Sequence, residues 1–274
     1  MTAATILDDR GVIEVSGEDA GKFLHNLVTN DILSLEAGDA RYAALLSPQG
    51  KILFDFLIFA SSANDFLIDC PAAIATDLEK RLNMYRLRAK VRIVNRSASD
   101  VVIAFPDAVS APEITAVVCA RDPRAAFGFR AIALRGAVSA SGDRAAYDAA
   151  RIRLGLPEGG ADFAWGEVFP HDVNMDLLNG IDFGKGCYVG QEVVSRMKHR
   201  GAARRRVVPY RAGGAAPPPG SPIDADGIAI GVCGSRVGDA GLAMIRLDRL
   251  AEARARGVAP VAAGVTLLFD EKFG

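Results

Sequence analysis

The stretch Ala212-Gly-Gly-Ala-Ala-Pro-Pro-Pro-Gly-Ser-Pro222 divides the sequence into two unlike parts. Its prolines offer no backbone donors and its glycines no side-chain packing, so no helix or central strand runs through it. We expect a boundary or a long surface loop there. Beyond it, short β-rich runs (IAIGVCGS, LAMIRL, VTLLF) alternate with glycines, the pattern of a small β-barrel. Before it, strand and helix patterns mix. The expected class is therefore α+β with a C-terminal barrel.

Of 274 residues, 50% are hydrophobic, enough for a sizeable core, and the formal net charge of -1 gives no global attraction to nucleic acid or membrane. No run approaches the ~20 apolar residues of a membrane helix, and no secretory pattern opens the chain. Cys70, Cys119, Cys187 and Cys233 lie 46 or more positions apart, without a CxxC pair. That spacing favours neither a zinc site nor a disulfide framework, and points to the reducing cytoplasm.

Residues 11–15 form a candidate strand, followed by a helix that Ser16 would cap. Strands are expected at 42–46 and 52–59 around a Pro48-Gln-Gly-Lys51 turn, and a second helix capped by Thr76-Asp77. Further strands fall near 90–94 and 101–105, and residues 106–127 stay ambiguous. A helix over 143–154 ends at Gly155 and Pro157. Residues 158–190 show no sustained period and are expected to be irregular, a length of loop that is often functional.

Lys185-Gly-Cys-Tyr-Val-Gly-Gln-Glu192 carries the chemistry. It reads as a glycine-flanked turn entering a helix, with Cys187 just before the helix N-terminus and near Lys185; both would favour a thiolate. The alternative is a small buried apolar cysteine. Asp55 interrupts an apolar strand between Phe54 and Phe56 and points opposite to them. Facing a cavity, its pKa would rise and suit proton transfer; on an edge strand it would be solvated.

KGCYVGQE resembles the K-G-C-Y-x-G-Q-E signature of the YgfZ family, relatives of the glycine-cleavage T-protein. VSGEDAGKFLHNLVTNDI, LSPQGKILFDFLIF, RLNMYRLRAKVRI, RIRLGLPEG and GIAIGVCGS resemble further family segments. The resemblance implies three subdomains around a central folate-sized hole, with residues 1–205 holding two intertwined folate-binding subdomains and 206–274 the barrel. It implies tetrahydrofolate or a derivative as cofactor, no stably bound metal, and a role in maturing or repairing iron–sulfur enzymes, including those that modify tRNA. Cys187 is then the signature cysteine, with Lys185, Gly186, Tyr188, Gly190, Gln191 and Glu192 completing the motif. Asp55 matches the aspartate near the reactive folate nitrogen. Arg153 falls where T-proteins place a pterin-binding glutamate, and it has no acceptor; Glu158 is the alternative. Trp165 and Phe169 offer faces for a flat ring.

Lys198, His199, Arg200 and Arg204–Arg206 form a basic run that would meet a polyglutamate tail, an acidic partner or solvent; without interleaved aromatics, direct RNA binding is not expected. His25, His171 and His199 lack metal-ligand spacing. The leading expectation is a monomeric accessory protein meeting iron–sulfur assembly proteins or client enzymes. The alternatives are a tetrahydrofolate-dependent aminomethyl or one-carbon transferase using Asp55, and a non-catalytic partner-binding module.

Overall fold

The computed structural model describes residues 4–139, 142–200 and 203–270, with backbone alone at 200. Strands β1 (Thr5–Leu7) and β2 (Arg10–Ser16) precede helix α1 (Ala20–Leu27). Strands β3 (Ala40–Leu46), β4 (Ile52–Ser62) and β5 (Asp65–Pro71) then run into helix α2 (Ala72–Arg86). After β6 (Arg92–Asn95), β7 (Asp100–Pro106), β8 (Val118–Arg121) and β9 (Gly128–Leu134) comes helix α3 (Arg144–Arg153). These strands make two antiparallel sheets, ordered β3-β4-β5-β2-β6 and β1-β7-β9-β8.

The segment between α3 and helix α4 (Gln191–Arg200) contains one 3-10 turn, Pro170–Val173, and is otherwise irregular. Strands β10 (Arg205–Ala212), β11 (Pro222–Ala225), β12 (Ile228–Val237) and β13 (Ala240–Arg246), helix α5 (Leu247–Ala255), and strands β14 (Val261–Ala262) and β15 (Val265–Phe269) complete the chain. The six strands close in the order β10-β13-β12-β11-β14-β15, the expected barrel. The Gly/Pro stretch is a loop of that barrel: Gly213 N–H donates to Thr266 O (3.0 Å), Ala216 N–H donates to Gly238 O (2.9 Å), and Ala216 is buried in the barrel core.

Alternation along β4 positions the site. Phe54, Phe56, Ile58 and Ala60 pack on one face with Phe23, Leu24, Leu78 and Leu82 of α1 and α2. Leu57 and Phe59 face the other way, into a core shared with Val102, Ile132, Tyr147, Val173 and, from the barrel, Val207 and Leu242. An interior strand covered on both faces must be apolar throughout, so Asp55 in its middle stands out.

Both expected caps are displaced. Ser16 stays in β2, where its hydroxyl donates to Glu14 (3.2 Å), and α1 starts at Ala20. Asp19 accepts from Lys90 N–H at 2.7 Å instead of capping α1. Helix α2 begins at Ala72, placing Thr76 and Asp77 inside it. Pro71 ends β5 and its fixed φ leads straight into the helix, while Ala72 N–H is satisfied by Asp9 O at 2.8 Å. Helix α3 has a side-chain cap: Asp143 accepts from Ala146 N–H at 2.7 Å.

Candidate functional site

The signature segment is a surface loop held at two points. Lys185 and Tyr188 are buried, whereas Gly186 and Cys187 between them are exposed. The Lys185 ammonium reaches the C-terminal end of α1, donating to the carbonyls of His25, Val28 (2.6 Å) and Asn30 (3.0 Å). Those orphan carbonyls attract a cation by charge and by geometry. Burial pulls the ammonium down to about 8 although Asp31 and Asp182 oppose it. Tyr188 packs in the shared core with its ring 5.1 Å below Lys185 Nζ. Asp182 ties the approach, accepting from Gly184 N–H (2.7 Å) and Lys185 N–H (3.2 Å).

Two expected influences on Cys187 are directed elsewhere. An ammonium has three donors, and all three of Lys185 are committed to carbonyls. Helix α4 starts at Gln191, with Tyr188, Val189 and Gly190 intervening after the cysteine. Gln191 is half-buried and Glu192 exposed in its first turn.

The motif's glycines have different reasons. Gly190 has φ +82°, and a Cβ there would lie 2.6 Å from Ser47 O and 3.0 Å from Gly50 Cα. Gly50, at φ +78°, faces Val193 with equally little room, 2.8 Å from an added Cβ to the Val193 Cβ. The signature loop and the Ser47–Lys51 turn thus meet backbone to backbone. Gly186 meets no described residue within 4 Å and has no left-handed φ, so none of the described residues requires glycine there.

Asp55 is 5% exposed on the interior of β4, which excludes the solvated-edge alternative. Trp165 Nε1–H donates to its Oδ1 (2.9 Å) and Tyr42 O–H to its Oδ2 (3.4 Å). Burial pushes the carboxyl up, partly offset by the Trp165 hydrogen bond and by Arg10 and Arg124. A Cβ on Gly159 would meet both the indole (2.4 Å) and Asp55 Oδ1 (2.7 Å), so only glycine lets the indole close over the acid.

Glu158 lies beside this centre, with its oxygens occupied: Oε1 accepts from Tyr147 O–H (2.5 Å) and Oε2 from Arg144 (2.8 Å). Burial would raise its pKa, but Arg151, Arg10 and Arg144 outweigh it and hold the group at about 2. Arg153 is on the outer side of α3, exposed and paired with Asp107 at 2.6 Å. Phe169 lies apart from Asp55, under Lys51 Nζ at 3.6 Å from the ring centre. The geometry brings together Asp55, Trp165 and Glu158, and separates Arg153 and Phe169 from them.

The basic run is also divided. Arg205 pairs with Asp172 (2.9 Å), Arg206 with Asp176 (2.7 Å), and Lys198 sits over Phe183 at 3.8 Å. Residues the sequence reading missed connect the two centres. Asn30 accepts from Lys185 through its carbonyl and donates through its amide to Tyr42 O (2.8 Å) and Asn179 O (2.6 Å). Thr29 donates to Gly180 O (2.7 Å) and accepts from Ala44 N–H (2.9 Å). Arg130, wholly buried, bridges Asp69 (2.7 Å) and Tyr147 (2.9 Å). A lone charge inside an apolar strand was the available signal for Asp69 and Arg130.

Residues 4–133 match the family described as GCVT N-terminal domain, and residues 204–268 match CAF17, C-terminal beta-barrel domain. The chain is 36% identical over 230 residues to the iron-sulfur cluster assembly factor IBA57 homolog, mitochondrial, of Neurospora crassa, covering 75% of this chain and 52% of that protein. It is 31% identical over 280 residues to iron-sulfur cluster assembly factor IBA57, mitochondrial, of Mus musculus, covering 89% and 77% respectively. The chain therefore spans about half the length of the fungal relative and three quarters of the mouse one. Its fold is that of glycine cleavage system aminomethyltransferase T from Bartonella henselae, with a TM-score of 0.73 at 16% identity over 99% of this chain and 86% of that one.

Proposed function

The chain belongs to the family of the iron–sulfur cluster assembly factor IBA57, and from that premise we propose that it is an accessory protein of iron–sulfur cluster assembly or repair. It presents Cys187 for thiol chemistry or for transient contact with a cluster that is cargo. One observation carries this reading: Cys187 is exposed on a loop whose neighbours Lys185 and Tyr188 are buried anchors. A structural cysteine would be inside. The open space around Gly186 leaves room for a partner's backbone beside the thiol. The KGCYVGQE signature favours the YgfZ-like branch, and clients such as tRNA-modifying enzymes belong to the same proposal.

The reading includes iron–sulfur assembly proteins or client enzymes as partners and a monomeric chain. It places the protein in a reducing compartment, the cytoplasm, where its four free cysteines stay thiols. The Neurospora and mouse relatives are described as mitochondrial. Among the described residues no helix is long and apolar enough to cross a membrane.

Tetrahydrofolate is part of the reading on the likeness of fold and motif alone. The residues beside Asp55 do not fit a pterin as they stand. Trp165 covers Asp55, Glu158 is engaged by Tyr147 and Arg144, and Arg153 is on the surface. No step is routed through folate, and in the transferase alternative Asp55 would act from beneath Trp165.

The test is the specific activity of an iron–sulfur enzyme in cells lacking this gene, rescued by wild type or by Cys187→Ser at equal protein level. Rescue by wild type alone is expected. Equal rescue would make Cys187 dispensable and defeat the thiol reading.

A further inference from the structure

The C-terminal end of α2 carries an apolar tip that no described residue covers. Leu87 terminates the helix at φ 44°, a region leucine avoids, and is 89% exposed; Met84 is 69% exposed. The tip borders a groove of about 350 Å³ whose apolar lining is Phe23, Leu27 and Tyr85.

The surroundings are basic apart from Asp19, which lines the groove and accepts from Lys90 N–H. Residues 81–92 contain five cations and no acid. Lys90 is paired with Glu18 and Arg92 lies 3.5 Å from Glu14. Arg86 and Arg88, flanking Leu87, and Lys22 across the groove are exposed and have no ion-pair partner among the described residues.

The groove adjoins the signature loop through α1. Asn26 and Leu27 line the groove, while the carbonyls of His25 and Val28 hold the Lys185 ammonium. Cys187 follows two residues later, at most about 7 Å along the chain. The signature loop and the groove therefore share α1.

We propose that this patch docks an iron–sulfur carrier protein through an acidic surface bearing an apolar side chain, which enters the groove and holds that partner's cluster within reach of Cys187. The unpaired Lys22, Arg86 and Arg88 are complementary to carboxylates, and Leu87 supplies the apolar contact at the centre of the charged rim. The inference rests on the reading of Cys187 given above.

The test is titration of the full chain with each of the cell's purified carrier proteins, in the cluster-free form so that ligation by Cys187 adds nothing. At least one carrier should bind, more weakly as salt rises. R86E/L87S/R88E should weaken that binding by about tenfold or more, and Cys187→Ser should leave it unchanged. All three altered side chains are exposed, and matching unfolding curves confirm that the variant folds. Unchanged affinity in the triple variant, or no binding by any carrier, would overturn the docking surface. So would loss of binding to phosphatidylserine vesicles with carrier affinity intact, which would assign the patch to a membrane. The cellular rescue by Cys187→Ser is read separately, so either idea can fail alone.

Discussion

Replacing Gly190 by alanine should unseat the signature loop without touching its thiol. The residue has φ +82°, and an added Cβ would lie 2.6 Å from Ser47 O, 3.0 Å from Gly50 Cα and 3.1 Å from Leu46 Cβ. Holding alanine in left-handed backbone costs about 1–2 kcal/mol. Forcing a methyl against a packed wall adds about 1–3 kcal/mol. The two nearest atoms are backbone atoms of the Ser47–Lys51 turn, which cannot swing aside as a side-chain tip can. We therefore expect a loss of about 2–5 kcal/mol, or roughly 4–10 °C in Tm for a chain of this size. Gly186→Ala is the control: no described residue lies within 4 Å and its φ is outside the left-handed region, so its effect should stay within about 0.5 kcal/mol. Parallel thermal and urea unfolding of the two variants is the assay. Tolerance of alanine at 190, or an equal penalty at 186, would refute the reasoning. A stable Gly186→Ala chain that fails to sustain an iron–sulfur enzyme would locate the requirement for glycine in whatever approaches from outside.

Three further predictions concern the buried polar groups. Glu158 is held near 2 against an ordinary 4.5, so its stabilisation is complete above pH 4.5 and disappears as pH falls toward 2. Glu158→Gln should cost about 3 kcal/mol at pH 7, and the gap to wild type should close below pH 4.5; a gap independent of pH would contradict this. For Asp55, burial raises the pKa, so its charge lowers stability as pH climbs above the ordinary 3.8. Asp55→Asn, which keeps an acceptor for Trp165, should be as stable as wild type or more so at pH 7, and a loss above about 2 kcal/mol would count against that. Lys185→Met leaves three carbonyls without their donor and should cost about 2–3 kcal/mol in urea unfolding; no measurable change would mean water replaces the ammonium.

Local patterns were legible where their causes are local. The apolar run ILFDFLIF marks a strand, and the turn at Pro48-Gln-Gly-Lys51 delimits it. The glycine-separated β runs near the C-terminus anticipate the closed barrel. The displaced caps show the opposite case. Ser16 and Thr76-Asp77 have good cap chemistry, but strand pairing retains Ser16, and the direct passage from β5 into α2 starts that helix before Thr76. Placing Arg153 by the glycine and proline of RIRLGLP missed how the chain turns. Gly155, at φ +68°, reverses direction after α3, so Arg153 stays outside and Glu158 enters. The ion pairs of the core were invisible for another reason: Asp69 and Arg130 are 61 positions apart, and each alone looks like a flaw in an apolar strand. Cys187 and its motif were legible as a unit, but its two buried anchors were not, because Lys185 binds carbonyls 155 to 160 residues away.

That sequence separation has a temporal meaning. The carbonyls that receive Lys185 are synthesised early, and the lysine and cysteine emerge from the ribosome long after them. Until α1, β3 and β4 have assembled, residues 185–190 have neither acceptors for the ammonium nor a turn for Gly190 to rest on. Such long-range closure comes late in folding. A chain stalled before that point therefore lacks the displayed thiol, and the exposed Cys187 loop exists only on molecules whose N-terminal sheet is already built.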